Sequence, residues 1–277
     1  MLYSDIATTL QLNRQLGITN NRLSRTMQRL STGLRINQAS DGAAALMISE
    51  TMNAQIRGFD MATSNVQQGI SMLNTADGGL QQITQSLQRI REIGVLASNG
   101  TTSTAQFSAY QAELQQELAN IDAISASTRF GDNVLLDGSI SGGAAFNIQA
   151  GPNTTDGIDI RSAFGNNVSG AGGLAITQNT LTSTANATTL INQVDAALTT
   201  VSTNTATIGG FQNRLQNQAD YLSTARVNVT AAQTSLIGAD IALETANLAQ
   251  YQILQQAGAF AFSQNTLSGN VVLGLLQ

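Results

Sequence analysis

The chain has 277 residues, room for one large domain or two modest ones, and 106 of them are Asn, Gln, Ser or Thr, against 12 basic and 17 acidic residues with a net charge of −5. An ordinary soluble domain is about a quarter charged, so this surface is built from neutral polar groups, and every basic residue is Arg. Without His or Cys there is no thiol or imidazole nucleophile, no Ser-His-Asp triad, no zinc finger, no haem or iron–sulfur ligation and no disulfide; no cofactor is implied, and an acidic balance without a basic block argues against nucleic acid or an anionic membrane as partner.

The first residues, MLYSDIATTLQLN, have neither a cationic n-region nor an apolar h-region, so no cleaved export signal is expected. No apolar run approaches the ~18 residues of a membrane span. Leu2, Ile6, Leu16, Leu23, Met27, Leu30 and Leu34 fall on one stripe at alternating spacings of three and four, with Thr9, Asn13 and Asn20 as polar gaps, which predicts a heptad seam. A loop follows at RINQASDG, where Asp41 is placed to cap the next helix.

The seam resumes at 45, 48, 52, 55, 59, 62, 66, 69, 73, 76, 80, 83, 87, 90, 94 and 97, apolar except at Gln55, Gly69 and Gly94. A continuous helix over those 53 residues would be roughly 80 Å long, with Gly78 and Gly79 as its weakest point. A third helix is expected from Thr104 to Ser127, with Phe107, Leu114, Ile121, Tyr110 and Ile124 at sevenfold spacing.

From Arg129 to about Ala175 the period changes. Ten of the 25 glycines lie between Gly131 and Gly173, and Asp137-Gly138 and Asp156-Gly157 flank short apolar stretches, the pattern of one or two β-hairpins. Asp132, Asp137, Asp156 and Asp159 lack the spacing of an EF-hand and read as turn residues.

Helical periodicity returns at 191 and continues to 236 with ten apolar residues at fourteen tested positions. Thr245 to Gln277 then runs without a charged side chain. Its apolar side chains are too few to offset the entropy of ordering it alone, so it packs on the first helix of its own chain, on other copies, or on both. Arg22, Arg25 and Arg29 share one helical face, which is either solvated or, if the chain assembles with other copies, expected to pair with acids on neighbouring copies. The fold class expected is mainly α: a long coiled-coil-like helical bundle with paired N- and C-terminal helices and a small β-hairpin region in the middle.

Five segments resemble bacterial flagellin: LSTGLRINQASDGAA at 30–44, NVQQGISMLNTADGGL at 65–80, LQRIREIGVLASNGT at 87–101, QAELQQELANIDAISASTRFGDNVLLDG at 111–138 and ILQQAGAFAFSQ at 253–264. The resemblance covers both terminal regions in family order, while the family's central insertion is nearly missing. It implies an inner core domain from 1–40 and 240–277, a helical spoke from 41–128 and 176–239, and a small β-hairpin region at 129–175. It also implies a self-polymerising filament subunit for swimming, secreted to the flagellum unfolded through the flagellar type III channel. The zinc peptidase of some flagellin insertions needs a His-Glu-x-x-His pair, which a chain without His cannot supply. The hook–filament junction protein shares the terminal helices but matches LQRIRE and RFGDNVLLDG weakly.

By the same resemblance, polymerisation falls to Leu16, Leu23, Met27, Leu30 and Leu34 at one end and Leu248, Leu254, Phe260, Leu267 and Leu275 at the other. An export chaperone would hold the C-terminal segment, and junction and cap proteins would bind the assembled filament. The flagellin-sensing Toll-like receptor of animals would meet Arg89, Ile93 and Glu113. Ser and Thr between Asn153 and Thr189 are the expected surface for glycans.

Overall fold

The computed structural model describes residues 2–140, 146–165, 168, 173–177 and 180–275, with side chains described between Ala7 and Gln264. Its main elements are α1 (Leu2–Thr32), α2 (Ala39–Ala97), α3 (Thr104–Ser127), β1 (Arg129–Phe130), β2 (Asn133–Val134), β3 (Asn147–Gln149), β4 (Gly157–Asp159), a 3-10 turn (Arg161–Phe164), α4 (Thr184–Ile237) and α5 (Ile241–Leu275). They fold as two compact units, one from 1–56 with 228–277, the other from 57–227.

The larger unit has a conventional apolar core. Every predicted seam position of α2 from Phe59 to Ala97 is buried, among them Leu73, Leu80, Ile83, Leu87 and Ile90 without measurable exposure. Phe107, Leu114, Leu118 and Ile121 of α3 are buried, as are Leu190, Val194, Val201, Ile208, Leu215 and Leu222 of α4. The expected bounds of α3 are those observed. Ser103 starts it with a reciprocal capping box, its hydroxyl accepting from Gln106 N–H while Gln106 Oε1 accepts from Ser103 N–H.

Glycines in the α2 seam are contact points. A Cβ on Gly69 would run into Ile148 Cδ1, and one on Gly94 would come within 2.8 Å of Ile191 Cγ1. Helix α2 also runs unbroken through Gly78 and Gly79, and a Cβ on Gly79 would meet Thr128 Oγ1 at 2.6 Å and Leu136 Cδ1 at 2.8 Å. Packing at Gly79 offsets the propensity cost that made an interruption plausible.

Two antiparallel hairpins are present among the described residues, β1 with β2 and β3 with β4, but their turns differ from the expected ones. The first hairpin turns at Gly131-Asp132, where Gly131 has φ +59°, the left-handed value a tight two-residue turn requires. Asp137-Gly138 makes a later bend in which Asp137 Oδ1 accepts from Ser139 N–H. In the second hairpin Gly157 already belongs to β4, and Asp156 Oδ2 accepts from the Asn153 N–H inside the loop.

The smaller unit contains α1, the first part of α2, the last part of α4 and α5. Helices α1 and α5 pack against each other. Helix α1 ends at Thr32, earlier than the predicted stripe, and Leu34 instead forms a bridge with Gly238. Around that bridge Arg35 N–H donates to Ile237 O at 2.7 Å and Ala239 N–H to Gly33 O at 3.0 Å. Asp41 is not a forward cap in the predicted manner: its Oδ2 accepts from Asn37 N–H, behind it in the chain, and the backbone leaves helical dihedrals at Gly42. Its carboxylate therefore closes the loop.

Candidate assembly surface

The inward line of α1 is Leu12, Leu16, Thr19, Leu23, Thr26 and Leu30, spaced four, three, four, three and four, all buried or half-buried. The inward line of α5 is Glu244, Leu248, Tyr251, Gln255, Gly258 and Phe262, with the same spacing. Both are heptad seams. They run antiparallel: Arg29 Nη1 meets Glu244 Oε1 at 3.1 Å, Gln255 Nε2 donates to Asn20 Oδ1 at 2.9 Å, and a Cβ on Gly258 would touch Leu16 Cδ2 at 2.7 Å.

This seam differs from the predicted one by one residue at alternate positions. Thr19 and Thr26 are buried where Asn20 and Met27 were expected. Thr19 satisfies its hydroxyl by donating to Gln15 O at 2.9 Å, and small side chains allow the backbones to approach at a position such as Gly258. Met27 is turned outward and 55 % exposed.

Of the residues expected to polymerise, Leu16, Leu23, Leu30 and Leu248 are half-buried in the helix pair, and Leu34 is half-buried beyond the end of α1. Leu254 and Phe260 are exposed, Phe260 to 80 %. The side chains of Leu267 and Leu275 lie outside those described. Sequence periodicity did not single out Leu10, Ile18, Met47, Ile241, Leu243 and Ile253, which add further exposed apolar area to this unit. Large apolar side chains thus stand on the outward faces as well as in the seam, where Thr, Gln, Gly and a charge alternate with leucines, Tyr251 and Phe262.

Electrostatics in the unit rest on a partly buried pair. Arg29, expected to reach another copy, is instead paired with Glu244 of its own chain, because the antiparallel return of α5 brings that acid alongside. Glu244 is 6 % exposed, and its second oxygen, Oε2, is buried with no hydrogen-bond partner. Arg22 and Arg25 are exposed and have no acidic partner among the described residues.

In the larger unit Arg89 Nε donates to Glu113 Oε1 at 2.7 Å and Nη1 to Glu92 Oε2 at 2.9 Å. These hydrogen bonds, to Glu113 first and Glu92 second, hold the guanidinium above its ordinary pKa. Arg89 and Glu113 are thus adjacent at the surface, as expected, but Ile93 has no exposure at all. The expected shared face of Arg89 and Ile93 is corrected accordingly: the helix turns the isoleucine into the core while the arginine stays outside. Nearby, Gln88, Arg91, Glu92, Val95 and Leu96 line an open groove.

The hairpin acids act locally. Arg161 beside Asp159 holds that carboxylate below the usual range by hydrogen bonding, and no group of three or more metal-ligating side chains occurs among the described residues. No described helix is long and apolar enough to cross a membrane.

Terminal helices paired in a heptad seam, with further large apolar side chains left on their outward faces, describe a structural subunit built to associate. Residues 4–141 match the model of the bacterial flagellin N-terminal helical region, and residues 191–276 that of the C-terminal helical region. A flagellin of Halalkalibacterium halodurans is 34 % identical over all of both chains, and the flagellar filament 30.7 kDa core protein of Treponema maltophilum is 31 % identical, again over all of both. Among solved structures, a flagellar hook-associated protein of Vibrio parahaemolyticus shares the fold at 16 % identity and a TM-score of 0.58, covering 72 % of this chain and 100 % of that one. The chain belongs to the bacterial flagellin family, a family of structural proteins and not of enzymes.

Proposed function

We propose that this flagellin is the subunit of a helical flagellar filament used for swimming, and that copies join through the outward faces of α1 and α5. The observation that carries the reading is the apolar outward face of the smaller unit, where Phe260, Ile253, Leu254 and Met27 are exposed although Leu16, Leu23, Leu248 and Phe262 already line the seam between the helices. An apolar surface of that kind on a structural subunit marks a partner site, and contacts between different faces of identical copies extend into a filament where the rotation between copies does not close a ring. Residues 1–40 with 240–277 would form the inner core, 41–128 with 176–239 the spoke, and 129–175 its β-hairpin part. Leu267 and Leu275 continue the same uncharged tail.

The remaining reading follows family membership. The subunit leaves the cell unfolded through the flagellar type III system, without a cleaved signal, and functions outside the cell. An export chaperone covers the C-terminal segment, and hook-associated junction and cap proteins meet the filament ends. Recognition by the animal flagellin receptor is supported at Arg89 and Glu113 by their exposed pairing; Ile93 would contribute through the packing that fixes that helix.

Purified protein given salt or filament seeds should form filaments visible by negative stain. Removing Thr245–Gln277 should leave the α2–α4 body helical and abolish polymer in the pellet. Filaments of normal length from the truncated protein would refute the assignment of the assembly surface.

A further inference from the structure

Of the 24 asparagines, only Asn99 is followed by glycine. We propose that Asn99 is a self-modification site, whose side-chain amide is lost to attack by the Gly100 main-chain nitrogen in the exposed turn between α2 and α3. The inference is independent of filament assembly.

The turn spans 98–103, between Ala97 and Thr104. Ser98 N–H donates to Gly94 O at 2.9 Å, Asn99 N–H to Leu96 O at 3.4 Å, and Thr102 N–H to Asn99 O at 3.0 Å. Thr101 N–H donates to the Asn99 side-chain oxygen, Oδ1, at 3.2 Å. The Gly100 N–H alone in this run has no acceptor among the described residues. Both residues are exposed, and nothing lies within 4 Å of the place a Gly100 Cβ would occupy. The nucleophile is therefore free and unhindered. The Thr101 N–H polarises the carbonyl under attack and is placed to stabilise negative charge as it develops on Oδ1.

The bond that forms joins Gly100 N to Asn99 Cγ, and the bond that breaks is Cγ–Nδ2. The Gly100 amide proton leaves on Nδ2, which departs as ammonia and leaves a five-membered imide. Water then opens the ring. Cleavage at Cγ–N gives aspartate; cleavage at the main-chain carbonyl gives isoaspartate, with one extra methylene in the backbone. Either product puts a negative charge just beyond the C-terminal end of α2, where the helix dipole disfavours it. Isoaspartate also displaces the carbonyl that receives Thr102 N–H. The turn would thus record the age of the molecule.

The test is incubation of the full-length folded protein at neutral and mildly alkaline pH, followed by peptide mapping with fragmentation that separates aspartate from isoaspartate. The exposed Asn20 and Asn213 serve as internal clocks. Asn99 should convert about tenfold faster than either, equivalent to a barrier lower by about 1.4 kcal/mol, faster still at alkaline pH, and to both products. Gly100→Ala should slow conversion about tenfold with unchanged melting, since the position is open and its φ lies outside the left-handed region. Conversion of Asn99 no faster than that of Asn20 and Asn213, or only after unfolding in urea, would overturn the proposal.

Discussion

Gly78 and Gly79 are neighbours in one helix with opposite surroundings. Nothing lies within 4 Å of a Cβ placed on Gly78, whereas one on Gly79 meets the stiff β-branched Thr128 and Leu136. Gly78→Ala should therefore stabilise the protein by about 1 kcal/mol through helix propensity. Gly79→Ala should destabilise it by about 1–3 kcal/mol through overpacking. Urea unfolding midpoints of the two variants, displaced in opposite directions from wild type, are the readout. A second contrast concerns charge. Arg29→Ala would leave Glu244 buried and unpaired, at a cost of about 3 kcal/mol, while Arg91→Ala breaks a pair with Asp195 in which both side chains are about half exposed and should cost under about 1 kcal/mol. Thermal unfolding of both variants, with hydrogen exchange read in α1 and α5, separates the two cases. Similar small effects would mean that the orphaned Glu244 oxygen is reached by solvent.

The behaviour of α2 shows how a single element carries two kinds of environment. From Phe59 onward its seam is sealed, whereas in the smaller unit Ala45 and Met52 are half-buried and Met47 and Ile48 exposed. Local stability follows the density of buried apolar contacts. In monomeric protein, amides of α1, α5 and the first part of α2 should exchange faster than those of residues 59–97, and should slow on polymerisation. Equal protection of all these segments before assembly would contradict that order. The sequence disclosed α3 and the α2 seam because each has one apolar stripe of ordinary period. It misjudged α1 because tight approach, as at Leu16 and Gly258, selects small residues, and a search for large apolar ones therefore assigned Met27 where Thr26 is buried. The hairpin turn at Gly131-Asp132 escaped notice because strands of two residues leave almost no alternation to read.

At the scale of the molecule, the flagellin resemblance covers both terminal regions, as the family models do, but only the geometry distinguished side chains committed within the monomer from those left outward. Leu248 and Phe260 look alike in a list of apolar tail residues; one lies in the helix pair and the other stands out from it. Phe260→Asp should accordingly leave the monomer's circular dichroism unchanged and abolish sedimentable polymer. Leu248→Asp should loosen α1 and α5 even in monomer. If both variants polymerised normally, the outward face would not be the joining face.

The α1–α5 pair joins residues from opposite ends of the chain, Asn20 to Gln255 for example. A ribosome delivers the first helix more than 200 residues before its partner, so α1 must wait through the making of everything between. Contacts that remote in sequence are slow to form. A chain cut short between α4 and α5 would still hold every core residue of the larger unit, yet it would lack half of the paired end. Length is thereby proofread by geometry: only a finished chain can close the α1–α5 pair.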